Sequence, residues 1–155
     1  MHELQTRIEI AAPQKQVWDV LTDFPAYSRW NPFIRHVDGF ADDARSLEVY
    51  VQLRDARHAR LRAVVLVIDA PREMRWRTHV LTPRVFVGEY RFALEPLPDG
   101  GVRFEQNLCF GGLLTPFLHD RIDRSVSRAL REMNAALKGH IERARGACPS
   151  LRGTA

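Results

Sequence analysis

The sequence predicts an α+β domain: a curved antiparallel sheet of about seven strands around one long C-terminal helix, with two short helices after the first strand. Three observations predict it. Apolar and polar residues alternate with period two in seven separate stretches, the pattern of half-buried strands. The turns between the last six stretches are short and polar, which suits antiparallel neighbours and is too short for parallel crossovers. From residue 118 onward the apolar residues recur every three or four positions instead, the pattern of a helix with one buried face.

The elements follow in order. Leu4, Thr6, Ile8 and Ile10 alternate with Gln5, Arg7 and Glu9, a strand over 4–10. Pro13 suits the first turn of a helix, and Val17, Trp18, Val20 and Leu21 form its apolar face. Residues 24–30 read as a second short helix that Asn31-Pro32 ends, because the residue before proline is driven out of the α region. Six strands are expected next, over 33–40, 46–54, 58–69, 73–81, 85–95 and 102–110. Their inward faces carry Leu47, Val49, Val51 and Leu53, then Leu61, Ala63, Val65 and Val67, then Met74, Trp76, Thr78 and Val80. The last two add Phe86, Gly88, Tyr90, Phe92 and Leu94, then Val102, Phe104, Gln106, Leu108 and Phe110. Thr115 reads as the N-cap and Pro116 as the first residue of the final helix. Its stripe is Leu118, Ile122, Val126, Leu130, Met133, Leu137 and Ile141, and Gly146 is placed as its stop. Residues 1–146 read as one domain and 147–155 as a flexible tail.

The chain has 155 residues, 45% of them apolar and 27% charged. That is the composition of an ordinary globular domain and excludes disordered, collagen-like and disulfide-scaffold chains. Nowhere do 18 apolar residues run together, so no transmembrane segment is expected. The start lacks an apolar stretch of signal-peptide length. Cys109 and Cys148 have no CxxC spacing and read as reduced thiols of a cytoplasmic protein.

The basic residues number 23; two are lysine, Lys15 and Lys138, which leaves 21 arginines and a net charge of +4. Strand parity places Arg54, Arg60, Arg62, Arg75, Arg77, Arg91 and Arg103 opposite the apolar face, in the same outer rows as Glu48, Glu73, Glu89, Glu95 and Glu105. Mixed rows of this kind form weak cross-strand pairs. Nucleic-acid binding would also need exposed aromatics among the arginines, and of the outward strand residues only Tyr50 qualifies. No nucleic-acid partner is expected.

Several stretches resemble a known family. They are Ile8-x-Ile10-x-Ala12-Pro13, Val17-Trp18-x-Val20-Leu21-Thr22-Asp23-Phe24 and Tyr27-x-x-Trp30-Asn31-Pro32-Phe33. Phe92-x-Leu94-Glu95-Pro96 and Phe110-Gly111-Gly112-Leu113-Leu114 extend the likeness, which covers about residues 4–145. The pattern is similar to the START / Bet v 1-like (SRPBCC) superfamily, in particular its bacterial polyketide cyclase/dehydrase-like proteins. The resemblance implies the helix-grip fold, a curved sheet around the long helix with a hydrophobic cavity between. It implies no invariant catalytic motif, and no catalytic residue is assigned.

The physical argument for a cavity is independent of that likeness. A single helix about 10 Å wide cannot fill a strongly curled sheet along its whole length. Residues facing the gap are the candidate ligand-binding set: Trp30 and Phe33 at the corner after the second helix; Trp76, Thr78, Phe86, Tyr90, Phe104, Gln106 and Phe110 on the strands; Leu118, Ile122 and Val126 on the helix. Gln106 is either a structural amide with internal partners or a ligand anchor. Gly88 leaves room for a ligand or another backbone. No metal or other cofactor is expected, since His36 and Asp38 share a strand face without a third ligand. His119 and Asp120 are adjacent on the helix and do not naturally face each other.

Three functions follow as expectations. The first is binding of a lipophilic small molecule, such as a lipid, an isoprenoid quinone or an aromatic polyketide, by a monomer or homodimer. The second is a polyketide cyclase/dehydratase enzyme, for which Arg84 is the charged residue nearest the expected mouth. The third is a protein or RNA interaction module using the outer arginine face.

Overall fold

The computed structural model describes residues 2–39, 46–53, 58–80 and 82–147, without the side chains of Leu118 and Ala147. Strand β1 (His2–Ile10) leads into helix α1 (Gln14–Thr22), a 3-10 turn (Phe24–Ala26) and helix α2 (Tyr27–Trp30). Strands β2 (Ile34–Asp38), β3 (Ser46–Val51), β4 (Ala59–Asp69), β5 (Glu73–Val80), β6 (Phe86–Pro96) and β7 (Val102–Gly111) follow, and helix α3 (Thr115–Ala147) closes the chain. All seven strands form one sheet in the order β1-β7-β6-β5-β4-β3-β2, with every pair antiparallel. The meander β2 to β7 needs only short turns, and β1 joins the far edge through its pairing with β7.

Alternation produces the two faces. Along β6, Gly88, Tyr90, Phe92 and Leu94 are buried, and the residues between them are half-exposed. Along β7, Val102, Phe104, Gln106 and Phe110 are buried. The outer face is a charged lattice. Arg103 reaches Glu9 at 3.2 Å and Glu95 at 3.3 Å, Arg91 reaches Glu73 at 2.8 Å and Glu105 at 3.4 Å, and Arg77 reaches Glu89 at 3.2 Å. The strand arginines among the described residues are thus interleaved with carboxylates; Arg54 lies outside those residues.

The Glu73 carboxylate accepts from both Arg91 and Arg75. Chiefly through the Arg91 hydrogen bond, it titrates below the usual carboxylate range. A depressed folded-state pKa contributes stability above the unfolded value and loses it as pH falls through the folded one. Glu73→Gln is therefore expected to lower Tm at pH 7, and the gap from wild type should close below about pH 4. Thermal melts at the two pH values check it; a gap that persists in acid would show that the loss is not electrostatic.

Several boundaries and facings differ from the sequence expectation. A β-bulge between Val65 and Val67 shifts the register, so that Val67 pairs with Arg75 and Ile68 with Met74. Val67 therefore turns to the outer face, Ile68 packs against the core, and Leu66 is left 40% exposed. Bulges insert one residue and reverse the parity beyond it. Val80, at the end of β5, is also exposed rather than inward. Helix α3 runs through Gly146 to Ala147 instead of stopping. Thr115 lies inside the helix, and its buried hydroxyl makes no hydrogen bond, so it does not cap. His119 Nε2 does reach Asp120, at 3.2 Å, although the two residues are adjacent on the helix. The expected tail after residue 147, with Cys148, lies outside the described residues.

The corner Trp30-Asn31-Pro32-Phe33 is held from within. The Asn31 carboxamide oxygen accepts from the backbone N–H of Phe33 at 3.0 Å and of Ile34 at 2.9 Å. Asn31 is wholly buried, and its side chain replaces the helix ladder as the chain turns into β2.

Candidate ligand cavity

Helix α3 makes its closest approach to the sheet at β1 and β7. In its C-terminal half Met133, Leu137 and Ile141 are fully buried and close the core. In its N-terminal half the sheet curls away toward β3, β4 and β5, and a void of about 250 Å³ remains. That exceeds the ~150 Å³ that admits a benzene ring.

The void is bounded by three groups of side chains. Trp76, Thr78, Phe86, Gly88, Tyr90, Leu108 and Phe110 form its sheet wall. Ile34, Val49, Val51, Leu53, Ala59 and Leu61, with Phe33 at the corner, form the side toward β2, β3 and β4. Ile122 and Val126 of α3 roof it. No charged side chain lines it among the described residues. The two hydroxyls present are engaged: Thr78 donates to the Gly88 carbonyl at 3.2 Å, and Tyr90 donates to the Gln106 carboxamide oxygen. Gly88 is buried, and a Cβ there would stand 3.2 Å from Thr78 Oγ1. Its missing side chain keeps this part of the wall open.

Below the void lies a polar knot. The Gln106 amide donates to the Leu130 carbonyl at 3.1 Å and to the Asn134 carboxamide oxygen, and Asn134 donates to Thr6 Oγ1 at 3.1 Å. The knot ties β1, β6, β7 and α3 together. Burial pushes the Tyr90 phenol well above its ordinary titration range, so it stays a neutral donor. Gln106 is fully buried with both ends of its amide used.

Of the residues expected at the site, Phe33, Trp76, Thr78, Phe86, Tyr90, Phe110, Ile122 and Val126 therefore surround one void. Trp30, Phe104 and Gln106 do not line it. Trp30 packs between Tyr27 and His140 under the far half of α3, Phe104 packs on Phe92, and Gln106 lies in the knot beneath. The Leu118 side chain lies outside the described residues. Arg84 is exposed in the β5–β6 turn and does not enter the void. The side from Ile34 to Leu61 is absent from the expected set, although strand parity marks Val49, Val51, Leu53 and Leu61 as inward. Their alternation is the available signal. Among the described residues no group of three or more His, Cys, Asp or Glu is placed to hold a metal.

Residues 1–142 match the family described as polyketide cyclase / dehydrase and lipid transport. The chain belongs to this family. No curated protein matches the chain at significant similarity. Among solved structures, this family member is similar to a START superfamily protein from Mycobacterium smegmatis, with 19% identity, TM-score 0.74, and coverage of 93% of this chain and 99% of that one. It is similar to TTHA0849 from Thermus thermophilus, with 14% identity, TM-score 0.73, and coverage of 92% and 99%. It also resembles the di-domain ARO/CYC BexL from the BE-7585A biosynthetic pathway, with 14% identity and TM-score 0.70, covering 91% of this chain and 50% of that one. At these identities the likeness establishes a shared fold, the sheet curled around its long helix. No helix among the described residues of this polyketide cyclase / dehydrase and lipid transport family member is long and apolar enough to cross a membrane.

Proposed function

We propose that the protein binds a lipophilic small molecule, such as a lipid, an isoprenoid quinone or an aromatic polyketide, in the void between the sheet and α3. The observation that carries this reading is the chemistry of the wall: apolar and aromatic, without a charged group, and with both hydroxyls already bonded to the protein. Such a wall removes apolar ligand surface from water at about 25 cal/mol per Å² and offers little to a hydrophilic solute. Trp76, Phe86, Tyr90 and Phe110 make the sheet side of that wall aromatic. The family's description, which names lipid transport, supports the same class.

The same description also names a polyketide cyclase, and BexL is a di-domain ARO/CYC. General acid–base work needs a titratable group within hydrogen-bond reach of the substrate, and the described lining has only the high-pKa Tyr90 phenol. That favours binding over turnover. The interlocked strand arginines likewise give little support to a nucleic-acid face.

Titration with N-phenyl-1-naphthylamine, a neutral probe that brightens in apolar surroundings, tests the reading. The wild-type protein should take up one probe. Val126→Trp, which places an indole in the void, should weaken uptake by about tenfold or more while leaving the chain folded. A wild-type protein that binds neither the probe nor any member of a panel of fatty acids, quinones and aromatic polyketides overturns it.

A further inference from the structure

One end of the molecule presents large apolar side chains to water. Leu113 is 73% exposed and Phe117 83%, with Leu114 at 41% and Val80 at 39% beside them. Two backbone bonds hold the patch together across different elements: the Leu113 N–H donates to the Arg84 carbonyl at 3.0 Å, and the Leu114 N–H to the Val85 carbonyl at 3.3 Å. These bonds fix the β7–α3 connection to the β5–β6 turn. In the register Val80 pairs with Phe86, and Thr78 pairs with Gly88 one step inward. Phe86, Thr78 and Gly88 all line the void, so the exposed patch sits at its end.

Phe117 also heads a row on α3. Arg121, Arg124, Arg128 and Arg131 follow it at spacings of four, seven, eleven and fourteen residues, all exposed. Those spacings fall on one helical face, about 21 Å long at ~1.5 Å per residue. Arg128 reaches Glu132 at 3.7 Å, whereas Arg121, Arg124 and Arg131 form no ion pair among the described residues. The neighbouring acids are turned elsewhere: Asp123 accepts from His2, and Asp120 contacts His119. Arg60, Arg75, Arg77, Arg91 and Arg103 of the sheet each have a carboxylate partner, whereas three of the four arginines in this row have none among the described residues.

We propose that this end of the protein docks on the surface of an anionic lipid bilayer. Leu113, Leu114 and Phe117 enter the boundary between head groups and acyl chains, and Arg84, Arg121 and Arg124 lie on the anionic head groups. Exposed Phe and Leu beside an arginine row is the composition of an interfacial membrane contact. A second copy of this chain fits less well, because a two-fold contact would set the same uncompensated arginines against each other. Docked in this way, the patch brings the end of the void to the lipid, and a lipophilic molecule can pass between them. That last consequence rests on the binding function proposed above; the docking itself does not.

Vesicle flotation tests the proposal, using phosphatidylcholine vesicles with and without phosphatidylglycerol. The wild-type protein should float with the anionic vesicles, and binding should weaken as salt is added. Leu113→Ser/Phe117→Ser should lose roughly tenfold or more of that binding. Arg121→Gln/Arg124→Gln should lose the preference for phosphatidylglycerol. Both pairs of positions are exposed, so each variant should keep wild-type uptake of N-phenyl-1-naphthylamine in solution, which also reports that it is folded. The proposal is overturned if the wild type shows no preference for anionic vesicles, or if Leu113→Ser/Phe117→Ser floats as well as wild type. It is also overturned if light scattering shows a dimer that the same substitutions dissolve. Flotation without probe uptake would sustain the docking and remove the cavity reading; uptake without flotation would do the reverse.

Discussion

Gly112→Ala should destabilise the protein by about 3 kcal/mol or more, lowering Tm by roughly 6–12 °C for a chain of this size. Gly112 has φ +127°, where a side chain is strained on any residue. A Cβ there would stand 2.5 Å from the Val85 carbonyl oxygen, 2.8 Å from its carbon and 2.9 Å from Phe86 Cα. All three are backbone atoms, and they cannot yield separately, because the Leu113 and Leu114 N–H groups are bonded to this same strand start. Gly100→Ala is the matched control. Gly100 has φ +85°, but its added Cβ would meet nothing within 4 Å, so only the conformational strain remains, about 1 kcal/mol. Chemical denaturation of both variants separates the two contributions. Equal losses would mean that the close approach at Val85 carries no weight.

The second large effect is expected at Gln106. Gln106→Leu keeps much of the volume but orphans the Tyr90 hydroxyl and the Asn134 carboxamide oxygen, both in buried surroundings. Each such loss costs about 1–3 kcal/mol, so a total near 3 kcal/mol is expected. The mechanism makes a further demand. Removing both ends of a buried hydrogen bond is milder than removing one. Gln106→Leu/Tyr90→Phe should therefore lose less stability than the sum of the two single variants, and a double-mutant cycle reads the coupling directly. Strict additivity would show that the knot acts only through packing.

Trp76, Tyr90 and Phe110 show how much of the site is legible in the chain. Their parity alone puts them on the concave face, and all three line the void. Phe104 and Gln106 share that parity on β7, yet Phe104 packs on Phe92 and Gln106 is bonded to Leu130 and Asn134 of α3, and neither lines the void. Alternation reports which face a residue occupies but not how far along the strand the helix stays in contact. That distance depends on the curl of the sheet and the angle of α3, which are set by contacts between elements far apart in sequence. The bulge at Val65–Val67 limits the parity argument in a second way: one inserted residue exchanges Val67 for Ile68 without any mark in the alternation. Trp30 reads as a wall because it stands beside Phe33, but α2 points it toward His140.

The sequence by itself determined the order and kind of the elements, the face most strand residues turn inward, outside the β4 bulge and the end of β5, and the charged lattice outside. These follow from local periodicity, turn chemistry and the Pro and Gly positions, all of which act over a few residues. Only the tertiary structure decided that the N-terminal half of α3 leaves the sheet and the C-terminal half does not. It also decided that Gln106 is tied into the knot beneath the void, and that Leu113 and Phe117 emerge beside a row of four exposed arginines, only one of them paired among the described residues. Those outcomes come from packing one rigid helix into a curled sheet, where contact at β1 and β7 forces separation elsewhere.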